Sequence, residues 1–139
     1  MDGDTWTVGF AATWESPTSA LPTLAYGDYL ILDDAGEETE ECADDRLVRP
    51  NAAGTAYGAS VALSPSWCTL SMLFSDWDRS GRRDLRVSND RHYHRDRGAE
   101  QLWRVEPGMA PRQYTEDEGW AAVKIWGMGI ASQDLTGDA

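Results

Sequence analysis

Apolar and polar residues alternate along this chain in short runs, and nearly every run stops at Gly, Pro, Asn, Asp or Ser. A period of two puts successive side chains on opposite faces of an extended segment, the pattern of a half-buried β-strand. The pattern predicts strands over Thr7 to Ala12, Asp45 to Arg49, Tyr57 to Leu63 and Leu70 to Ser75, with an additional apolar run from Leu24 to Leu32. Further strands are expected over Leu85 to Ser88, Gln101 to Val105, Arg112 to Thr115 and Val123 to Ala131. Few stretches are long enough between breakers for a helix, so the expected fold class is all-β.

Two pieces of the chain repeat. Leu73-Phe74-Ser75-Asp76-Trp77-Asp78-Arg79-Ser80-Gly81 aligns with the stretch from Ala131 to Ala139 at an offset of 58 residues, each an apolar run entering an Asp-rich turn. Asp45-Arg46-Leu47-Val48-Arg49 aligns with Glu100-Gln101-Leu102-Trp103-Arg104 at an offset of 55. Met1-Asp2-Gly3-Asp4 reads as a third copy of the turn. Antiparallel four-stranded units recurring at this spacing are the sequence sign of β-propeller blades. The expected organisation is a first repeat over 1–75 with an acidic insertion near 33–45, a second over 76–133, and the start of a third over 134–139. Two blades cannot close a ring, so the expectation is a fragment whose free sheet edges invite edge-to-edge self-association.

Charge narrows the partners. The formal net charge is −12, and such a surface repels phosphate, which argues against nucleic acid. The charges are also segregated: Asp33, Asp34, Glu37, Glu38, Glu40, Glu41, Asp44 and Asp45 cluster, while eight of the eleven Arg lie between Arg79 and Arg104. A solvated acidic loop beside an Arg-rich face is the plain reading. No run approaches the roughly 18 apolar residues of a membrane-spanning helix, and no charged-then-apolar leader precedes Asp2, so neither a span nor a signal peptide is expected within these residues. Cys42 and Cys68 are an even pair in loop-like surroundings, open to being an extracellular disulfide or two free thiols.

The sharpest local motif is Asp76-Trp77-Asp78-Arg79-Ser80-Gly81-Arg82-Arg83-Asp84. Calcium takes six to eight oxygen ligands, and acids at alternate positions of a tight turn can converge on one ion. In that reading Asp76, Asp78 and Ser80 contribute side-chain oxygens, Arg82 its backbone carbonyl and Asp84 closes the sphere, with Gly81 making the turn. An EF-hand needs a Glu at the twelfth position, where this chain has Val87 followed by strand-like alternation. The competing reading is an ordinary Asp-Ser-Gly turn between strands. The two other copies are weaker: Asp134, Thr136 and Asp138 meet Ala139 where Gly is expected, and Asp2 and Asp4 precede Thr5 at that position.

These residues carry a resemblance. The loop, the Val87-Ser88-Asn89 strand end and the Gln101-Leu102-Trp103-Arg104 strand together resemble the FG-GAP or VCBS repeats of integrin α-subunits and of the cartilage acidic protein family, across nearly the whole chain. The resemblance implies a seven-bladed propeller, Ca2+ held by Asp76, Asp78, Ser80, Arg82 and Asp84, and extracellular or cell-surface recognition of a protein or glycan. The chain departs from the family pattern where Ser80 replaces Asp and where Arg79, Arg82 and Arg83 crowd the loop.

Nothing in the spacing singles out a catalytic centre. His92 and His94 sit in a polar His-Tyr-His-Arg-Asp-Arg-Gly stretch that reads as a loop more readily than as a metal site, and Ser64-Pro65-Ser66-Trp67-Cys68 has no base placed to activate a nucleophile. Trp103 and Trp126 are expected to pack between sheets rather than to stack on sugars. Two function classes follow: a calcium-stabilised interaction scaffold without enzymatic activity, or an accessory propeller portion of a secreted polysaccharide-acting enzyme.

Overall fold

The computed structural model describes residues 4–133 and Leu135. Among the described residues nine strands form two antiparallel sheets: β1 (Thr5–Thr13), β2 (Thr23–Leu32), β3 (Glu38–Cys42), β4 (Asp45–Val48) and β5 (Val61–Leu63) in the first, and β6 (Thr69–Ser75), β7 (Asp84–Asn89), β8 (Gln101–Arg104) and β9 (Arg112–Gln113) in the second. Each sheet is a four-strand meander, ordered β1-β2-β4-β5 and β6-β7-β8-β9; β3 is an excursion that pairs with the far end of β2. The acidic insertion makes that excursion. Asp33 accepts the backbone N–H groups of Ala35 and Glu37, and Gly36 takes φ 80°, a tight turn that sends the chain back along β2.

The sheets lie face to face. Ala25, Leu47 and Leu63 of the first meet Met72, Leu85, Val87, Trp103 and Val105 of the second, the last following β8 directly. Close approach depends on glycine: a Cβ on Gly27 would stand 2.3 Å from Thr69 Cγ2, and one on Gly9 3.3 Å from the Met72 side chain. The absent side chains let β6 lie close across β1 and β2, where a Cβ at Gly27 would overlap Thr69 and one at Gly9 would crowd Met72.

Covalent and polar ties cross the same junction. Cys42, at the end of β3, is bridged to Cys68, immediately before β6, with Cα atoms 4.7 Å apart. Tyr29 of β2 donates to Asp90 beyond β7 at 2.8 Å, and Thr69 of β6 lies 2.7 Å from the buried Asp45 of β4.

Several expectations change. Val123 to Ala131 forms no strand; the segment runs irregularly against the outer side of the second sheet, with a single bridge from Trp126 to Asp90. Trp103 is buried as expected, but Trp126 is 56% exposed, its ring beneath the Arg91 guanidinium. Tyr57 to Leu63 shortens to β5, and Arg112 to Thr115 to β9, after which Glu116–Glu118 turns as a short 3-10 segment. Sheet membership changes at Thr69, ahead of the 75/76 repeat boundary, which makes the Asp-rich loop a hairpin within the second sheet. The repeat alignment has a positional counterpart: β4 and β8, matched at an offset of 55, are each the third strand along their path.

Candidate functional site

The Asp-rich loop joins β6 to β7, with Ser75 opposite Asp84 at its base. It turns because its acids satisfy its own backbone. Asp76 accepts the N–H groups of Ser80 at 2.9 Å and Gly81 at 2.8 Å, one on each oxygen, and Asp78 accepts Ser80 N–H at 3.2 Å. Arg79 and Gly81 take φ 58° and 81°, the left-handed conformations that reverse the chain. Hydrogen bonds from Ser80 draw the exposed Asp78 carboxyl below its ordinary value.

Asp84 is fully buried and its oxygens are spoken for. Oδ1 accepts Val105 N–H at 3.0 Å and the Arg82 Nε–H at 3.0 Å. Oδ2 accepts the Tyr114 hydroxyl at 2.6 Å, Arg82 Nη2 at 3.2 Å and the Trp77 indole N–H at 3.3 Å. The Arg82 guanidinium is thus a two-pronged partner, and it also reaches Asp78 at 3.5 Å, Glu106 at 3.9 Å and the Tyr114 oxygen at 2.7 Å. Pairing with Asp84 holds it more firmly protonated than a free arginine. Burial, then the bond to Asp84, pushes the Tyr114 phenol above its usual range. The Trp77 and Tyr114 rings meet edge to face, 5.3 Å between centroids, and close the site from outside.

Of the five residues proposed as calcium ligands, the structure brings Asp78, Arg82 and Asp84 together, but around a guanidinium. The donor set as arranged does not fit a calcium ion. Both Asp84 oxygens are saturated by protein hydrogens, and a fixed positive charge stands between Asp78 and Asp84. Among the described residues no group of three or more His, Cys, Asp or Glu is placed to hold a metal. Of the weaker candidates, Asp4 uses its backbone carbonyl to receive Leu32 N–H, while Asp2, Asp134, Thr136 and Asp138 lie outside the described residues. His92 and His94 flank Tyr93 in a 3-10 turn, and their rings pack on different partners, Tyr93 and Trp67.

Sequence reading missed Trp77, Val105, Glu106 and Tyr114 as members of this site. They come from the loop interior and from segments 21 to 30 residues beyond Asp84, and no spacing rule links them to it. The corresponding hairpin of the first sheet, 14–22 between β1 and β2, was also not singled out. There Glu15 accepts the Thr23 hydroxyl at 2.6 Å and pairs with Arg49 Nε at 2.8 Å. Between the two hairpins lies a groove of about 370 Å³ lined by Thr13, Trp14, Glu15, Arg82, Arg83 and Val105, among others.

A second surface stands out by exposure. Trp6, Val8 and Phe10 of β1 are 47%, 49% and 63% exposed, and Trp14 just beyond is 56% exposed. β1 ends the strand order of its sheet. Register places Phe10 beside Tyr26, Ala12 beside Leu24, and Leu24 in turn beside Val48 of β4, so apolar side chains continue across the sheet away from the core.

Comparison with known protein families, with characterised proteins and with solved structures finds no match to this chain. Geometry alone therefore carries the functional reading. Among the described residues no helix is long and apolar enough to cross a membrane.

Proposed function

We propose that this chain is a non-catalytic interaction scaffold, two consecutive blade-like sheets of a β-propeller of the FG-GAP or VCBS kind, whose outer sheet face receives another sheet of the same type. The observation that carries this reading is the run of exposed large apolar residues on the edge strand β1, continued inward by Leu24, Tyr26 and Val48. Water-exposed aromatic surface of this extent on a sheet is what an interface requires. The inner face of the same sheet already packs on a neighbouring sheet, so sheet-on-sheet contact is the mode this protein uses.

Two meanders with matched strand order support the repeat reading. The Cys42–Cys68 bridge suits an oxidising, extracellular setting.

A second copy of the chain is the probe at hand. Sedimentation velocity of the full chain over a concentration series is expected to show reversible dimerisation in the micromolar range, and Phe10→Asp is expected to abolish it without lowering the melting temperature, because the position is solvent-facing. A wild-type chain that stays monomeric throughout, or a Phe10→Asp chain that associates as strongly, would refute the assignment of this face.

A further inference from the structure

We propose that Arg82 is the resident cation of the 76–84 hairpin, so that the loop folds around a guanidinium and needs no calcium. Three observations carry this. First, the carboxylate that would complete an ion's coordination, Asp84, is wholly buried and binds Arg82 through both oxygens, at 3.0 and 3.2 Å. A planar guanidinium offers parallel N–H groups matched to a carboxylate, and a bidentate pair of this kind fixes geometry as well as charge. Second, the same guanidinium reaches Asp78 and Glu106, so one positive centre serves the acids that converge there.

Third, the arrangement recurs where the ion loop is absent. The 14–22 hairpin has no Asp, yet its carboxylate, Glu15, is held by Arg49, which also donates to the backbone carbonyls of Glu106 and Met109 of the second sheet. Glu106 thereby links both hairpins: its side chain faces Arg82 and pairs with Arg104, and its carbonyl receives Arg49. A divalent ion at Asp84 would have to displace the Arg82 guanidinium from both carboxylate oxygens and would stand beside its positive charge. Charge balance inside the hairpin is therefore supplied by the chain itself. The inference is independent of the β1 surface.

The test is thermal unfolding of the full chain in 2 mM calcium chloride and in excess EDTA, on wild type, Arg82→Gln and Arg82→Lys, with calorimetric titration of calcium into the wild type. Wild type is expected to melt within about 1 °C in the two conditions and to show no saturable heat, since an ion at 100 times its dissociation constant would raise the melting temperature by about 5 °C or more. Arg82→Gln is expected to melt lower than wild type in EDTA, and Arg82→Lys, which keeps the charge without the fork, to fall between them. A calcium-dependent rise in the wild type, or saturable binding, overturns the proposal. So does an Arg82→Gln chain as stable as wild type in EDTA. If Arg82→Gln does not fold, the wild-type titration and the Arg82→Lys melt decide alone, and a Lys variant that is restored only by calcium would count against the arginine.

Discussion

Asp45→Asn exchanges a buried carboxyl for an amide of nearly the same shape at the junction of the two sheets. Asp45 has no exposed surface; Oδ1 accepts Asp28 N–H at 3.2 Å, and Oδ2 lies 2.7 Å from the Thr69 hydroxyl. That hydroxyl is also 2.9 Å from Asn89 Oδ1, and the Asn89 amide donates to the Ala99 carbonyl and to Gln101. Thr69 has one hydrogen for two oxygen neighbours. A proton on Asp45 completes the chain, with the acid donating to Thr69 and Thr69 donating to Asn89.

Electrostatics agree, because burial raises the Asp45 carboxyl from 3.8 to about 7, outweighing the hydrogen bonds that favour its ionised form, and the nearby Asp28 charge adds to the rise. The folded chain thus holds a proton that the unfolded chain releases above 3.8. Stability from this group is complete below that value and is lost as pH rises through about 7. The whole span corresponds to about 4 kcal/mol, more than half of which falls between pH 5 and 8.

Urea unfolding followed by tryptophan fluorescence reads this directly. With an m-value of about 2 kcal/mol/M, the wild-type midpoint should drop by about 1 M from pH 5 to 8. The Asn variant, whose amide donates to Thr69 at every pH, should lose most of that slope and exceed wild type at pH 8. Glu100, half-buried and also raised by burial, titrates alike in both proteins and cancels in the difference. A wild-type midpoint flat with pH, or a variant that keeps the full slope, would refute the protonated Asp45.

Replacing both cysteines with Ser should cost about 3.5 kcal/mol, the chain-entropy value for a separation of 26 residues, measured as a lowered urea midpoint under oxidising conditions. Gly27→Ala should cost about 1–3 kcal/mol by driving a methyl into Thr69, whereas Gly129→Ala, with nothing within 4 Å, should change stability by less than about 0.5 kcal/mol; paired thermal melts distinguish them.

The strands that could be read from the sequence were those with their own alternating pattern. Leu85 to Ser88 and Gln101 to Val105 lie close to the observed β7 and β8, and the extra run Leu24 to Leu32 is β2, because a period of two is a local property that burial of one face merely uses. Val123 to Ala131 carries similar apolar content but found no strand to complete a ladder, and strand formation depends on a partner as much as on the segment itself. The Asp-rich turn was likewise visible, since Asx hydrogen bonds and the positive φ of Gly81 are settled within a few residues.

What the turn holds was decided by tertiary structure. The alternation Asp76, Asp78, Asp84 announces an anionic cluster, but which cation balances it depends on where the Arg82 side chain lies and on Val105, Glu106 and Tyr114 arriving from the segments that follow β8 and β9. The Cys42–Cys68 bridge and the hydrogen bond between Asp45 and Thr69 have the same origin. Each joins residues more than twenty positions apart, and a spacing pattern records only what neighbours in the chain impose. Local alternation and turn chemistry were enough to specify β2, β7, β8 and the Asp-rich turn; the packing of one sheet on the other set the partners of Asp45 and Asp84, the Cys42–Cys68 link and the exposed face.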